Sequence, residues 1–194
     1  MEAGPDARGG VGSGPTERPR RDPFGSVAEM LRHRYDVTPS TFTPAGGLLP
    51  NGLQLREPVP DDHTGLAALM LSAYVGTIDY EGETLADAGD EVARWFANEA
   101  YRAASLVALE RDHIVGGVLN SLIDGVPLIG YVMTSAERKG MGIAGVLVET
   151  ALQAIFVDGH RRVSAWITEG NVPSERLFTR LGFVVVDTFE TDPT

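Results

Sequence analysis

Residues 132–152, VMTSAERKGMGIAGVLVETAL, restrict what this chain can fold into more than any other stretch. β-type sequence ends at Thr134, five connecting residues follow with Arg138 and Lys139 among them, and Gly140 and Gly142 open a long helical pattern. Glycine has no Cβ to hold a ligand away from the backbone. The first turn of a helix carries unbonded N–H groups, and its dipole favours negative charge. The pattern predicts an anion site fit for a pyrophosphate, built from Arg138, Lys139, Gly140, Met141, Gly142, Ile143 and Ala144. The plainer alternative is a strand-to-helix connection in which glycine only relieves crowding.

Gly140, Gly142 and Gly145 also spell the dinucleotide fingerprint G-x-G-x-x-G, with Glu169 about 24 residues on, near where a ribose-binding acid lies. That motif needs its first glycine directly after a parallel strand opening a βαβ unit. Here five residues intervene after what reads as an antiparallel meander, and little chain remains for a dinucleotide fold. A Walker loop is further off, since no glycine-lysine-serine or -threonine follows.

The flanking sequence predicts an α+β fold in three layers, with a mixed, mostly antiparallel sheet between helices. A strand near Leu53 leads to a helix capped by Asp62 or Thr64, with Leu66, Leu69, Met70, Ala73 and Tyr74 on one face. An acidic loop precedes a second helix opened by Thr84. Three short β-type runs, SLVALE, IVGGVLNSLI and PLIGYVMT, are separated by tight turns and read as a meander. After the glycine-opened helix come a buried strand, RVSAWIT, a short helix stopped by Gly182, and a last strand, FVVVDTF. The domain is expected at residues 51–190. Residues 1–50 form an extension: 1–23 lack the apolar side chains that folding requires and read as disordered, while 24–35 suit a short amphipathic helix that docks on the domain or joins two copies as a homodimer.

Composition narrows the chemistry. There is no cysteine among the 194 residues, which removes disulfides, thiolate metal sites and any acyl-cysteine intermediate. The four histidines, at 33, 63, 113 and 160, have no metal-ligand spacing, so no metal is expected. Net charge is −11, and the six basic and six acidic residues of 1–50 cancel, so the whole deficit lies in the domain. An acidic domain argues against nucleic acid and suits a cationic small substrate. No stretch approaches the roughly 18 to 20 apolar residues of a membrane span, and no signal-peptide pattern opens the chain, so no membrane partner and a cytoplasmic location are expected.

With these elements in place, the chain resembles the GNAT acetyltransferases. Their acyl-CoA motif, Gln or Arg, two residues, Gly, one residue, Gly or Ala, matches 139–144 with Lys139 at the first position. Their second marker matches Asn171, Ser174, Leu177, Phe178, Gly182 and Phe183. The resemblance covers residues 53–189. It implies acetyl-CoA as co-substrate and no metal, with pantetheine in a cleft where strands PLIGYVMT and RVSAWIT splay apart, paired with main-chain groups of Val132, Met133 and Thr134. It places Asn171 on the pantetheine arm, with Ser174 and Leu177 beside it. A small-molecule or peptide amine would attack the thioester directly in a ternary complex.

The family's usual proton donor is a tyrosine, and here that position is Phe178. Tyr131, Ser174 or water is left to substitute. For the base, the loop between the first two helices offers Asp79 and Glu83, in a stretch, 76–99, with seven carboxylates and one arginine. The same acids also suit a helix N-terminus with no catalytic task. An acetyl-CoA-binding sensor or interaction module without efficient catalysis is the second reading.

Overall fold

The structure, a computed structural model, describes residues 30–191. In chain order they form β1 (Met30–Val37), β2 (Leu53–Arg56), α1 (His63–Tyr74), α2 (Leu85–Arg94), β3 (Leu106–Glu110), β4 (His113–Ile123), β5 (Val126–Thr134), α3 (Ile143–Val157), β6 (Val163–Thr168), α4 (Val172–Arg180) and β7 (Val184–Thr191). One sheet runs β2-β3-β4-β5-β6-β1-β7. Every junction is antiparallel except β5 with β6.

Side chains alternate across the strands, so each face of the sheet receives its own helices. Leu66, Leu69 and Met70 of α1, with Val92 and Trp95 at the end of α2, pack on Leu119, Tyr131 and Met133. On the opposite face Ile143, Leu147, Val148 and Ala151 of α3, joined by Phe178 of α4, pack on Val118, Ile129, Ala165 and Ile167. A fully buried Leu or Ile contributes roughly 1.5–3 kcal/mol and a helix cap about 1 kcal/mol, so the layers hold the fold and the caps fix where helices begin. Thr84 caps α2 as expected: its hydroxyl accepts from the Asp87 N–H, and the Asp87 carboxylate accepts from the Thr84 N–H at 2.8 Å. Asp62 makes no side-chain cap bond at α1. It takes two bonds from the Arg56 guanidinium, at 2.6 and 2.7 Å, and one from the Val59 N–H at 2.8 Å.

The expected helix at 24–35 is corrected where it can be seen. Residues 30–35 belong to β1, a strand inside the sheet between β6 and β7. Tyr35 and Val37 point into the α3 core while Arg32, Arg34 and Asp36 alternate with them, a period of two that only a strand can use. Both edges of β1 find partners, and that pairing outweighs the helical spacing. Residues 24–29 and the predicted tail at 1–23 lie outside the described residues.

Residues 38–50 also belong to the folded body. The Phe42 ring rests 5.6 Å from that of Phe156, the Thr43 N–H donates to the Leu181 carbonyl at 3.1 Å, and the Ala45 N–H donates to the buried Glu149 carboxylate at 3.0 Å. Gly182 permits this contact: its φ is +91°, and a Cβ there would stand 1.9 Å from the Thr41 carbonyl oxygen.

One irregularity shapes the functional end. β4 and β5 shift register between Leu119 and Asn120, which leaves Gly130 without a partner. Such a bulge increases local twist. β6 meets β5 only at Leu128↔Ser164 and Ile129↔Ala165, so the two strands part beyond Gly130. β6 stays paired with β1 as far as Thr168↔Arg32, so the diverging arm is braced on its far side.

Candidate active site

The parted strands leave β5 with an edge that offers unpaired backbone donors. The Ser135 N–H donates to the Val115 carbonyl at 2.9 Å, and the register from Gly116↔Thr134 to Val118↔Val132 is unbroken. N–H direction alternates along a strand, so the Val132 and Thr134 N–H groups turn away from β4, into the gap towards β6. Of the three residues expected there, Met133 is fully buried under α1 and α2 and Val132 packs towards α3. The Thr134 and Ser135 hydroxyls are buried with no hydrogen-bond partner.

Beyond Thr134 the chain makes a single tight turn at Ala136–Arg138 and enters α3 through Gly142, whose φ of +81° suits glycine alone. No side chain caps this helix. A Cβ on Gly140 or Gly142 would meet nothing within 4 Å, so the loop lies open. Met141 is half exposed over it. The two cations expected to face a phosphate are both engaged elsewhere. Arg138 pairs with Glu110, and the Lys139 ammonium donates to the Ala73 carbonyl at the end of α1, at 2.8 Å. The guanidinium that does reach α3 is Arg180, whose Nη2 would stand 3.0 Å from a Cβ on Gly145 in the first turn. Sequence reasoning missed Arg180, because only the packing of α4 on α3 brings it there. With backbone N–H groups and the dipole of α3, it leaves an anion-accepting end.

The opposite lip of the gap is polar. Asn171 caps α4, its Oδ1 accepting from the Ser174 N–H at 3.2 Å, while its amide nitrogen donates to Asp79 at 2.6 Å. Asp79 is buried on the loop after α1, so this bond ties that loop to α4 across the mouth of the gap. Leu177 packs partly buried against the core that holds α3. Tyr74 ends α1 beside them. Its hydroxyl accepts from the Val132 N–H, and burial followed by the Asp79 carboxylate pushes its ionisation upward, with Arg32 acting the other way. Arg32 is buried, at 6% exposure, and reaches this spot from β1.

A pocket of about 370 Å³, open to solvent, lies between α1 and α2 and is lined by Met70, Leu71, Tyr74, Tyr80, Glu83, Asp87, Ala88 and Glu91. Its apolar floor and carboxylate rim suit an alkylammonium group. Glu83 stands on the rim, its carboxylate also accepting from the Glu81 N–H at 2.9 Å. Tyr131 is buried beneath α2 and donates its hydroxyl to Glu91, and burial followed by that carboxylate drives its ionisation far upward. The structure thus gathers Asp79, Asn171 and Val132 at one gap, sets Glu83 on the adjoining pocket, and turns Tyr131 into the wall between them. Phe178 lies in the core, its ring edge-on to Phe183 at 4.9 Å.

Among the described residues, no group of three or more His, Asp or Glu side chains is arranged to hold a metal ion, and no helix is long and apolar enough to cross a membrane.

Comparison with known proteins agrees with this geometry. The chain is 26% identical over 176 residues to a mycothiol acetyltransferase of Clavibacter sepedonicus, an alignment that takes in 89% of this chain and 57% of that protein. It superposes with a TM-score of 0.66 on a GCN5-related N-acetyltransferase from Sphaerobacter thermophilus, at 22% identity over 84% of this chain and 50% of the other. A tandem GNAT protein from the clavulanic acid biosynthesis pathway gives a TM-score of 0.63 at 17% identity, over 86% of this chain and 55% of the other. At such identities the structural matches show the fold alone, and the chain spans about half the length of these relatives. The model of the acetyltransferase (GNAT) family matches residues 71–183, more than half of the sequence, and the chain belongs to that family.

Proposed function

We propose that this chain transfers an acetyl group from acetyl-CoA to a cationic amine, small molecule or peptide, by direct attack within a ternary complex. The observation that carries this reading is the open edge of β5, where the Val132 and Thr134 N–H groups face a gap that leads to the uncapped N-terminus of α3. The residues fit acetyl-CoA: Thr134 and Ser135 supply buried hydroxyls without partners, and open space stands over Gly140 and Gly142. In this reading the residues of 138–144 and Arg180 receive the pyrophosphate, and Val132, Met133 and Thr134 pair with pantetheine through their main chain. Asn171, Ser174 and Leu177 line its other side. Acetyl-CoA supplies the activated acyl group, and the Val132 N–H is placed to steady the oxyanion that forms on amine attack.

The amine enters from the α1–α2 side, where Glu83, Asp87 and Glu91 rim the pocket, and Asp79 at the gap accepts its surplus proton, directly or through water. The similarity to a named acetyltransferase supports acetyl transfer, and the carboxylate rim supports the cationic acceptor. A second reading, a domain that binds acetyl-CoA and turns it over little, is favoured by one observation: Phe178, which cannot donate a proton, is locked in the core.

Calorimetric titration of acetyl-CoA against the wild type and Gly142→Asp tests the site. The aspartate adds a carboxylate where the helix dipole calls for the ligand's negative charge, and it must hold a φ of +81°. Binding by the wild type and loss of at least tenfold in affinity by the variant are expected, a change of about 1.4 kcal/mol. No binding by the wild type overturns the reading. Thiol release across an amine panel then separates the two functions, since binding without release for any acceptor supports the second.

A further inference from the structure

Phe178 leaves the thioester without the tyrosine that the family resemblance leads one to expect, and the fold brings a different tyrosine to the same gap. Tyr74 closes α1 and lines the acceptor pocket, and its hydroxyl accepts a hydrogen bond from the Val132 N–H. A hydroxyl in that bond stands about 3 Å from the nitrogen. An acyl oxygen that takes up the same N–H must arrive beside it, which brings the thioester carbon and sulfur within one or two bond lengths of the phenol. Asp79, tied to Asn171 at 2.6 Å, is on one side, and Arg32 is close enough to oppose the effect of Asp79 on the phenol. Neither Tyr131, whose hydroxyl is given to Glu91, nor Phe178, buried in the core, is set for this task.

We propose that Tyr74 is the catalytic acid of this chain, giving its proton to the departing CoA thiolate, and that Arg32 of β1 is a positioning residue that faces the phenolate as it forms. The proposal rests on the acetyl-transfer reading above. In the step, the amine lone pair forms the N–C bond at the carbonyl carbon and the C–S bond breaks. The sulfur keeps the electron pair and takes the Tyr74 proton. The surplus proton on the new amide nitrogen passes to Asp79 or to water, and the phenolate recovers a proton from solvent, leaving acetylated amine and free CoA thiol. A phenol is a weaker acid than a thiol, about 10 against 8.5, so the proton moves only as charge builds on sulfur. Burial and Asp79 keep Tyr74 protonated at neutral pH, and Arg32 lowers the cost of its charge at the moment of transfer. The role of β1 is then chemical as well as structural, since its pairing of Arg32 with Thr168 anchors the guanidinium at the end of the parted strand.

The test uses the full chain with Tyr74→Phe, which keeps the ring and removes only the hydroxyl. The expected result is an acetyl-CoA Kd within about twofold of wild type and a kcat about 100-fold lower, the ordinary contribution of a general acid. A kcat within about twofold of wild type overturns the proposal. In parallel, 3-fluorotyrosine placed at position 74 preserves shape and packing, so it carries the test even where the phenylalanine variant fails to fold. Its fluorine resonance should shift on saturation with CoA, and the solvent isotope effect on kcat should change with the more acidic hydroxyl. A resonance that CoA leaves unmoved while calorimetry shows CoA bound puts the phenol away from the sulfur and overturns the assignment. Arg32→Gln should lower kcat while the acetyl-CoA Kd holds, and an unchanged kcat removes Arg32 from the mechanism. Failure of the wild type to bind acetyl-CoA is a distinct result, which rejects the acetyl-transfer reading and the role of Tyr74 with it.

Discussion

Gly142 and Gly182 both hold positive φ, for different reasons. Gly142 turns the chain into α3 beside open space, so its replacement by a larger residue threatens ligand binding more than folding. Gly182 stands against the Thr41 carbonyl, where a Cβ would meet the oxygen at 1.9 Å. Gly182→Ala must therefore strain its backbone and push residues 41–43 off α4, at a cost on the order of 3 kcal/mol. A lowered urea midpoint checks this, and an unchanged midpoint would show that residues 41–43 are not firmly seated. Residues of this kind divide by how far their meaning reaches along the chain. Gly140 and Gly142 were legible because strand, glycine and helix follow one another within a few positions. Tyr74 read only as the last apolar position of α1, since its partners Val132, Asp79 and Arg32 meet it through three different elements. Arg138 and Lys139 were legible as cations near a phosphate loop, but not that Glu110 and the Ala73 carbonyl would engage them.

At the scale of elements, the meander β3 to β5 and the long α3 follow from local periodicity, and the sequence predicts them nearly to their ends. β1 was misjudged because LRHRYDV satisfies two templates: Leu31 suits an amphipathic helix with residues before it, while Tyr35 and Val37 alternate with charged residues as a strand requires. Local spacing cannot choose between these, and partners on both edges can. The β2–α1 corner shows a similar tertiary override, with Asp62 drawn from capping to the Arg56 fork. That fork holds the Asp62 carboxyl below the usual carboxylate range, its bonds outweighing the opposing effect of burial. A group whose folded-state pKa is depressed adds stability that is present above its unfolded pKa and is lost as pH falls through the folded value. Arg56→Met should therefore destabilise the protein by about 1 kcal/mol at neutral pH, a modest figure because Arg56 is partly solvated. The difference from wild type should shrink as pH falls below the carboxylate range. Denaturant titrations of both proteins at neutral and acid pH measure it, and a gap that stays constant with pH would mean that Arg56 acts through packing alone.

Across the whole molecule the charge is one-sided, since residues 51–194 hold 10 basic and 21 acidic side chains and account for the full −11. The pocket between α1 and α2 concentrates the same sign in Glu83, Asp87 and Glu91 over an apolar floor. Field lines focus in such a cleft, which raises the encounter rate of a cation and does little for a neutral molecule. The charges on the rim are within a Debye length of an approaching ligand, about 10 Å at 0.1 M salt, so added salt weakens the attraction. The phosphate end behaves differently, because Arg138 and Lys139 are already engaged and recognition there falls to backbone donors at short range, with Arg180 beside them. The two substrates should therefore respond unequally to ionic strength. kcat/KM for a cationic amine should fall several-fold from low salt to physiological salt, whereas the acetyl-CoA Kd should change less. Glu83→Gln should flatten the amine's salt dependence and leave that of acetyl-CoA in place. Steady-state rates against sodium chloride, with a cationic amine and an uncharged analogue of similar size, distinguish the outcomes: equal slopes for both acceptors would show that the acidic rim does not select the substrate.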